Sequence, residues 1–161
     1  MSQCHTDHSL CLAGEFRDTQ LLNICETAYK TLEELVQHSI AFSSSEQEQR
    51  LQEATLNLMT KCFSYDFNGT SVDESGEDIG IIQIPASWRP LFENPEFLST
   101  MFRAYKEFPP PRSSRVMECM VQIASVRKTL FNDQEERSKF VVKVMQGIRE
   151  IIVASQEPQC P

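Results

Sequence analysis

Residues 16–42, FRDTQLLNICETAYKTLEELVQHSIAF, decide the fold class of this chain. Apolar residues recur along this stretch at steps of three and four, which is the spacing of one face of an α-helix. These residues are Leu21, Cys25, Ala28, Leu32, Leu35 and Val36. The stretch therefore predicts an amphipathic helix that packs against a neighbour through that face.

A second helix is predicted directly after the first. The serine run at 43–45 breaks the first helix, and Ser45 with Glu48 three residues later has the spacing of a capping box. In the helix that follows, at 46–63, we expect the buried stripe to be Leu51, Ala54, Leu58 and Cys62, flanked by Thr55 and Met59. Two helices of this length joined by a short loop predict an antiparallel helical hairpin.

Three more helices are predicted beyond residue 92. Asn94 and Pro95 mark the start of a helix at 93–108, and the prolines at 109–111 end it. The next helix, at 113–131, is apolar on most sides, so neighbours must cover it. Asn132 and Asp133 are placed to cap the last helix, at 134–154. Its predicted stripe is Phe140, Val144, Ile148 and Ile151.

About five amphipathic helices in successive pairs predict an all-α chain. The pairing favours an α-solenoid, in which each helix pair buries its apolar face against the next. A compact helical bundle is the alternative. The predicted organisation is a disordered tail at 1–14, helical repeats at 15–155 with an acidic insertion at about 66–92, and a disordered tail at 156–161.

Composition and charge exclude several function classes. The formal net charge of −8 disfavours binding to nucleic acid or to an anionic membrane surface. The first residues lack the apolar core of a signal peptide, and no run of some 20 apolar residues occurs. The six cysteines include no CxxC pair, and Cys25, Cys62 and Cys119 sit among apolar residues, as reduced core cysteines do. These features indicate a reducing compartment.

Two metal sites are conceivable from the sequence, and neither is favoured. The stretch CHTDHSLC at 4–11 offers two cysteines and two histidines (Cys4, His5, His8, Cys11), but it lies at a terminus. A calcium loop counted from Asp66 would use four oxygen donors (Asp66, Asn68, Thr70, Glu77). However, Ser71 stands where that loop needs glycine, and Gly80 and Pro85 oppose the exiting helix. We expect no metal and no cofactor.

The sequence predicts no enzyme. No histidine stands beside a plausible nucleophile, and no glycine-rich phosphate loop occurs. The Asn-Gly-Thr triplet at 68–70 matches the pattern for N-glycosylation. The asparagine would be glycosylated only if the chain entered the secretory pathway.

The segment between the second and third predicted helices has two interpretations. In the first, apolar residues of the insertion pack on the helices that it crosses and leave the acidic turn in solvent. These residues are Ile81, Ile82, Ile84 and Trp88. Alternatively, the acidic patch, defined as Asp73, Glu74, Glu77 and Asp78, binds a basic surface of a partner protein. The structural interpretation is the simpler one.

Several blocks of this sequence resemble one known family. They are YDFNGTSVDES (65–75), QIPASWRPLF (83–92), FRAYKEFPPPRSS (102–114) and VQIASVRKTLFND with QEERSKF (121–140). Together they resemble the exportin-7 family of the importin-β (karyopherin) superfamily, and within it a fragment from the N-terminal third. The resemblance is strongest from about residue 63 to residue 140.

This resemblance implies a HEAT-repeat solenoid that is part of a nuclear transport receptor. Such receptors export proteins from the nucleus under the control of Ran-GTP, without catalytic activity, so Ran-GTP, cargo proteins and nuclear pore proteins are the implied partners. The implied locations are the cytoplasm and the nucleus, including the nuclear pore. The alternative is a free-standing helical adaptor or scaffold that does not depend on Ran.

A solenoid whose end repeats lack caps exposes apolar helix faces, which favours self-association. The sequence offers two candidates for such a face. One is formed by Phe97, Met101 and Tyr105, and the other by Phe140 and Val144.

Overall fold

The computed structural model describes residues 15–39, 45–65, 84–126 and 130–156, and these residues form helices and connecting turns. A π-helical turn, Phe16–Gln20, leads into the first helix. The helices are α1 (Leu21–Ser39), α2 (Glu46–Phe63), α3 (Arg89–Glu93), α4 (Pro95–Glu107), α5 (Arg112–Ala124) and α6 (Gln134–Gln156). A 3₁₀ turn, Ala86–Trp88, precedes α3. The predicted all-α class is confirmed.

The helices are arranged as stacked pairs. Helices α1 and α2 form one pair, and α4 and α5 form the next. Helix α1 packs against α4, and α2 packs against α5, so the first helices of the pairs form one layer and the second helices form another. Helix α6 packs against α4 and so extends the first layer. This arrangement confirms the predicted α-solenoid of HEAT-type helix pairs.

Three helix starts are fixed by the caps that the sequence predicts. Ser45 and Glu48 form a complete capping box, with Glu48 N donating to Ser45 Oγ at 3.2 Å and Ser45 N donating to Glu48 Oε2 at 2.7 Å. Asn94 Oδ1 accepts from Glu96 N at 3.0 Å. Asp133 Oδ1 accepts from Glu136 N at 2.8 Å at the start of α6. Each cap satisfies a backbone N–H that the helix leaves unpaired.

Aromatic side chains form the core between the first pair and α6. Phe63, at the end of α2, packs near Trp88, Phe92 and Phe97, with ring centroids 6.2–6.4 Å apart. Phe92 lies 6.2 Å from Phe140 of α6 and so connects α3 to the last helix. This aromatic cluster joins α2, α3, α4 and α6 through contacts between residues that are distant in sequence.

The sequence interpretation of α2 is wrong at three positions of its buried stripe and correct for Cys62 and the flanking Thr55 and Met59. Leu51 and Leu58 are 48% and 44% exposed, and Ala54 is exposed as well. The buried residues are Gln52, Thr55, Leu56, Met59, Cys62 and Phe63. Because α2 lies between α1 and α5, two neighbouring faces of it must be covered, and the buried surface rotates toward Leu56 and Phe63.

Two predicted boundaries also change. The helix predicted at 113–131 ends at Ala124, where Ser125 Oγ donates to Val121 O at 2.8 Å. Residues 86–92 of the predicted insertion are helical instead of forming part of the loop, and with Glu93 they add a sixth helix, α3, to the five predicted in the part of the chain that the structure describes. Arg89 of α3 holds the turn before α6, since its Nε donates to Leu130 O at 2.6 Å and its Nη1 donates to Asn132 Oδ1.

Candidate interaction surface

The residues of the predicted acidic patch, Asp73, Glu74, Glu77 and Asp78, lie outside the described residues. So do the donors of the two metal sites considered from the sequence (Cys4, His5, His8, Cys11, Asp66, Asn68 and Thr70). The structure does describe the segment that follows the patch. Ile84 is buried, and Trp88 is completely so, within the aromatic cluster. The prediction that this segment anchors on the helices is confirmed for these two side chains.

Three cysteine thiols from three helices lie in the core. Cys25, Cys62 and Cys119 are buried and free. Cys119 Sγ lies 3.0 Å from Thr60 Oγ1 and 3.6 Å from Leu56 O, so it links α5 to α2. A hydrogen bond with Cys62, together with burial, holds the pKa of the Cys25 thiol well above its usual range. Burial also raises the pKa of Cys119 to about 11. Cys25 and Cys119 are therefore neutral packing groups, whereas the hydrogen bond with Cys25 lowers the pKa of the Cys62 thiol.

The thiol environment predicts slow alkylation. The thiolate is the reactive form, so a pKa of about 11 in place of 9.0 leaves roughly a hundredfold less thiolate on Cys119 at pH 8. We expect iodoacetamide to label Cys119 at least about a hundredfold more slowly in the native chain than in urea. Mass spectrometry of each cysteine-containing peptide measures the rate of labelling. The native rate should rise with pH until about pH 11, because the thiol deprotonates through that range. Equal native and denatured rates at pH 8 would contradict this assignment.

Within the described ranges, the structure holds no group of three or more His, Cys, Asp and Glu side chains placed to bind a metal ion. None of the helices in those ranges is both long enough and apolar enough to cross a membrane.

Helix α6 presents apolar side chains to solvent. We define the α6 stripe as Val141, Met145, Ile148 and Ile152, which follow one another at steps of four, three and four. Met145 is 60% exposed and Ile152 is 50% exposed. Two more exposed valines, Val142 and Val153, lie beside the stripe. A helix that is apolar around most of its circumference is normally covered by neighbours, so this face has the properties of an interface.

The α6 stripe borders an apolar groove between α5 and α6. Leu98 and Phe102 of α4 line it together with Val121 of α5 and Ile148 of α6. The groove has a volume of about 90 Å³. Val121 is 57% exposed and extends the apolar surface from α6 onto α5.

The two faces that the sequence offered as exposed are mostly buried, with Tyr105 and Val144 half-buried against the core. Phe97 and Met101 lie in the core, and so does Phe140. Ile148, predicted to be core, is partly exposed, and Gly147 takes its place against α4. The exposed apolar face of α6 is the α6 stripe, which lies on a different side of the helix from the predicted face at Phe140 and Val144. Its spacing of four, three and four is visible in the sequence, but the predicted core stripe also has helical spacing, so periodicity alone could not tell which face is exposed.

The charged side chains around the α6 stripe differ in whether they form ion pairs. Arg137 and Arg149 each lie one helical turn from a stripe residue, Val141 and Met145 respectively, and neither forms an ion pair with a described carboxylate. The carboxylates of α6 are engaged elsewhere. Glu135 pairs with Lys139 at 2.8 Å, Glu150 pairs with Lys106 at 2.9 Å, and Glu136 accepts from Asn132 N at 2.9 Å. The α6 stripe is therefore bordered by positive charge that no carboxylate of the described residues pairs with.

The chain is similar in sequence to several curated proteins. It is 37% identical to Exportin-7-A of Xenopus laevis over 150 residues, which are 93% of this chain and 14% of that protein. It is 36% identical to human Ran-binding protein 17 over 141 residues, 88% of this chain and 13% of that protein. It is 32% identical to Exportin-7 of Dictyostelium discoideum over 136 residues, 84% of this chain and 13% of that protein.

No family model matches the chain, and no solved structure matches it. The sequence comparisons nevertheless agree across organisms as distant as a frog, a human and a slime mould. The chain spans about one seventh of the length of these relatives. It is therefore a homologue of the exportin-7 and Ran-binding protein 17 proteins over a short part of their length.

Proposed function

We propose that this chain forms part of the surface of a nuclear transport receptor of the exportin-7 type. It acts through protein–protein contacts and not through catalysis, in Ran-GTP-dependent export of cargo proteins from the nucleus. It operates in the cytoplasm and the nucleus, including the nuclear pore.

The similarity to exportins and Ran-binding proteins over about nine tenths of the chain carries this proposal. The stacked helix pairs support it, because solenoids of this kind offer extended surfaces for protein partners. Ran-GTP, cargo proteins and nuclear pore proteins are the proposed partners, and the region similar to this chain is about one seventh of the relatives' length.

The proposal predicts a nucleotide-dependent complex with Ran. We expect the purified chain to co-elute with Ran loaded with a non-hydrolysable GTP analogue and not with Ran-GDP, in size-exclusion chromatography with light scattering. A complex that forms with both nucleotide states, or with neither, would contradict the proposed Ran dependence of this chain. In that case the alternative, a helical adaptor without Ran dependence, would be favoured.

We also propose that the acidic patch, Asp73, Glu74, Glu77 and Asp78, contacts a basic surface of the protein partner. Its four carboxylates would attract that surface over a distance of about 10 Å at 0.1 M salt. The same chromatography with a variant in which all four are replaced by Asn or Gln provides the test. If the variant retains the complex at every salt concentration, the acidic patch has no part in it.

A further inference from the structure

We propose that Cys25 and Cys62 form a reversible redox pair, in which a peroxide oxidises the two thiols to a disulfide that joins α1 to α2. The disulfide would link the two helices of the first pair, against which α4 and α5 pack. The proposed function assigns no role to these thiols, and the test of this inference contains no Ran.

The two thiols meet at the contact between α1 and α2. Cys25 lies near the start of α1 and Cys62 lies in the last turn of α2, at the end of the helix pair where the rings of Phe16 and Tyr65 are 6.1 Å apart. Cys25 is 0% exposed and Cys62 is 1% exposed, and a hydrogen bond joins the two thiols. Because a cysteine sulfur lies only one bond beyond Cβ, the two backbones are already close neighbours, as a disulfide requires.

The third buried thiol has other partners. Cys119 Sγ lies 3.0 Å from Thr60 Oγ1 and 3.6 Å from Leu56 O, and both of these groups belong to α2. The hydrogen bond of the Cys62 thiol is made with Cys25. Among these three buried thiols, the contacts therefore select Cys25 and Cys62 as the pair that is oxidised.

The hydrogen bond also gives the two thiols different roles. It raises the pKa of Cys25 and lowers the pKa of Cys62, so Cys62 supplies the attacking thiolate while Cys25 keeps its proton. The thiolate attacks one oxygen of the peroxide and the O–O bond breaks. For hydrogen peroxide, the products are the sulfenic acid of Cys62 and, after protonation of the departing hydroxide, water.

The second step forms the disulfide. The Cys25 sulfur attacks the Cys62 sulfur, the S–O bond breaks, and the proton of Cys25 leaves with the hydroxyl group as water. The two thiols together lose two electrons and two protons, which convert one hydrogen peroxide into two water molecules. A dithiol reductant reverses the reaction by thiol–disulfide exchange. Since both thiols are buried, the peroxide reaches them when the contact between α1 and α2 opens locally, so oxidation is slower than for an exposed thiol.

Peptide mapping without reduction tests the proposal in the unchanged chain. Trypsin separates the three buried cysteines into the peptides 18–30, 62–103 and 116–127. The folded chain is treated with hydrogen peroxide, and the remaining thiols are then blocked with N-ethylmaleimide in urea. We expect a disulfide between peptides 18–30 and 62–103 that dithiothreitol removes, and a maleimide label on peptide 116–127. A disulfide that contains Cys119, oxidation of Cys62 to the sulfinic acid without a disulfide, or no disulfide between the two peptides would overturn the proposal.

The melting temperature shows whether the disulfide fits the native structure. It closes the loop from residue 25 to residue 62 in the unfolded chain, so the oxidised chain should melt roughly 5–15 °C higher than the same sample after dithiothreitol. Cys62→Ala should abolish both the disulfide and the rise, whereas Cys119→Ala should retain both. Circular dichroism confirms that each variant remains folded. A disulfide that lowers the melting temperature, or a rise that persists in Cys62→Ala, would contradict a redox pair formed by the native packing.

Discussion

Replacing Trp88 by alanine should lower the free energy of unfolding by about 3–5 kcal/mol, the range for removing a large aromatic side chain from a core. Trp88 has no exposed surface, and its ring centroid lies 6.3 Å from that of Phe63. It also belongs to the segment that joins α2 to α3 and α4, so its loss loosens the connection between the helix pairs. Urea denaturation followed by circular dichroism measures the change.

Two further variants make this result interpretable. Trp88→Phe retains an aromatic ring and should cost clearly less than Trp88→Ala, which keeps the prediction testable if the alanine variant does not fold. Leu58→Ala removes a large apolar side chain from a position that is 44% exposed and should cost less than about 1 kcal/mol. A loss below 1 kcal/mol for Trp88→Ala would show that the aromatic cluster does not hold the helix pairs together.

Much of the fold could be predicted because its signals are local. The caps at Ser45, Asn94 and Asp133 involve residues at most three positions apart, and the structure forms all three. The prediction of the buried face of α1 is also confirmed, since one apolar stripe dominates that helix. Helix α2 was not predictable in this way, because it carries apolar residues on two faces and its neighbours α1 and α5 decide between them.

The candidate interaction surface was only partly predictable. The sequence predicts an exposed apolar helix face, and α6 presents one in the part of the chain that the structure describes. Which face is exposed depends on how α6 crosses α4, and that crossing is set by Gly147 and Phe102, which are 45 positions apart in sequence. No periodicity within α6 contains that information. The acidic patch remains a prediction that rests on sequence alone.

Gly147→Ala should destabilise the chain, although alanine normally favours a helix over glycine by about 1 kcal/mol. A β-carbon at Gly147 would lie 2.5 Å from Cδ2 of Phe102, and closer still to Cε2 and Cζ. The buried Phe102 ring must therefore move, or α6 must shift away from α4. Overpacking of this kind costs about 1–3 kcal/mol, and the propensity gain of about 1 kcal/mol offsets part of it, so we expect a net loss of up to about 2 kcal/mol. Gln146→Ala, a matched change at the exposed neighbouring position, should stay within about 0.5 kcal/mol of the original chain.

A double-mutant cycle separates this contact from any other effect of the new methyl group. Phe102→Ala removes the ring atoms that the β-carbon would meet, so Gly147→Ala in that background should be neutral or stabilising. If Phe102→Ala leaves too little stability to measure, Phe102→Leu replaces it, since leucine lacks the Cε2 and Cζ atoms. The sign of the Gly147→Ala effect should therefore depend on residue 102. If the loss is the same in both backgrounds, the close approach of α6 to α4 at this pair is not what excludes a larger residue at position 147.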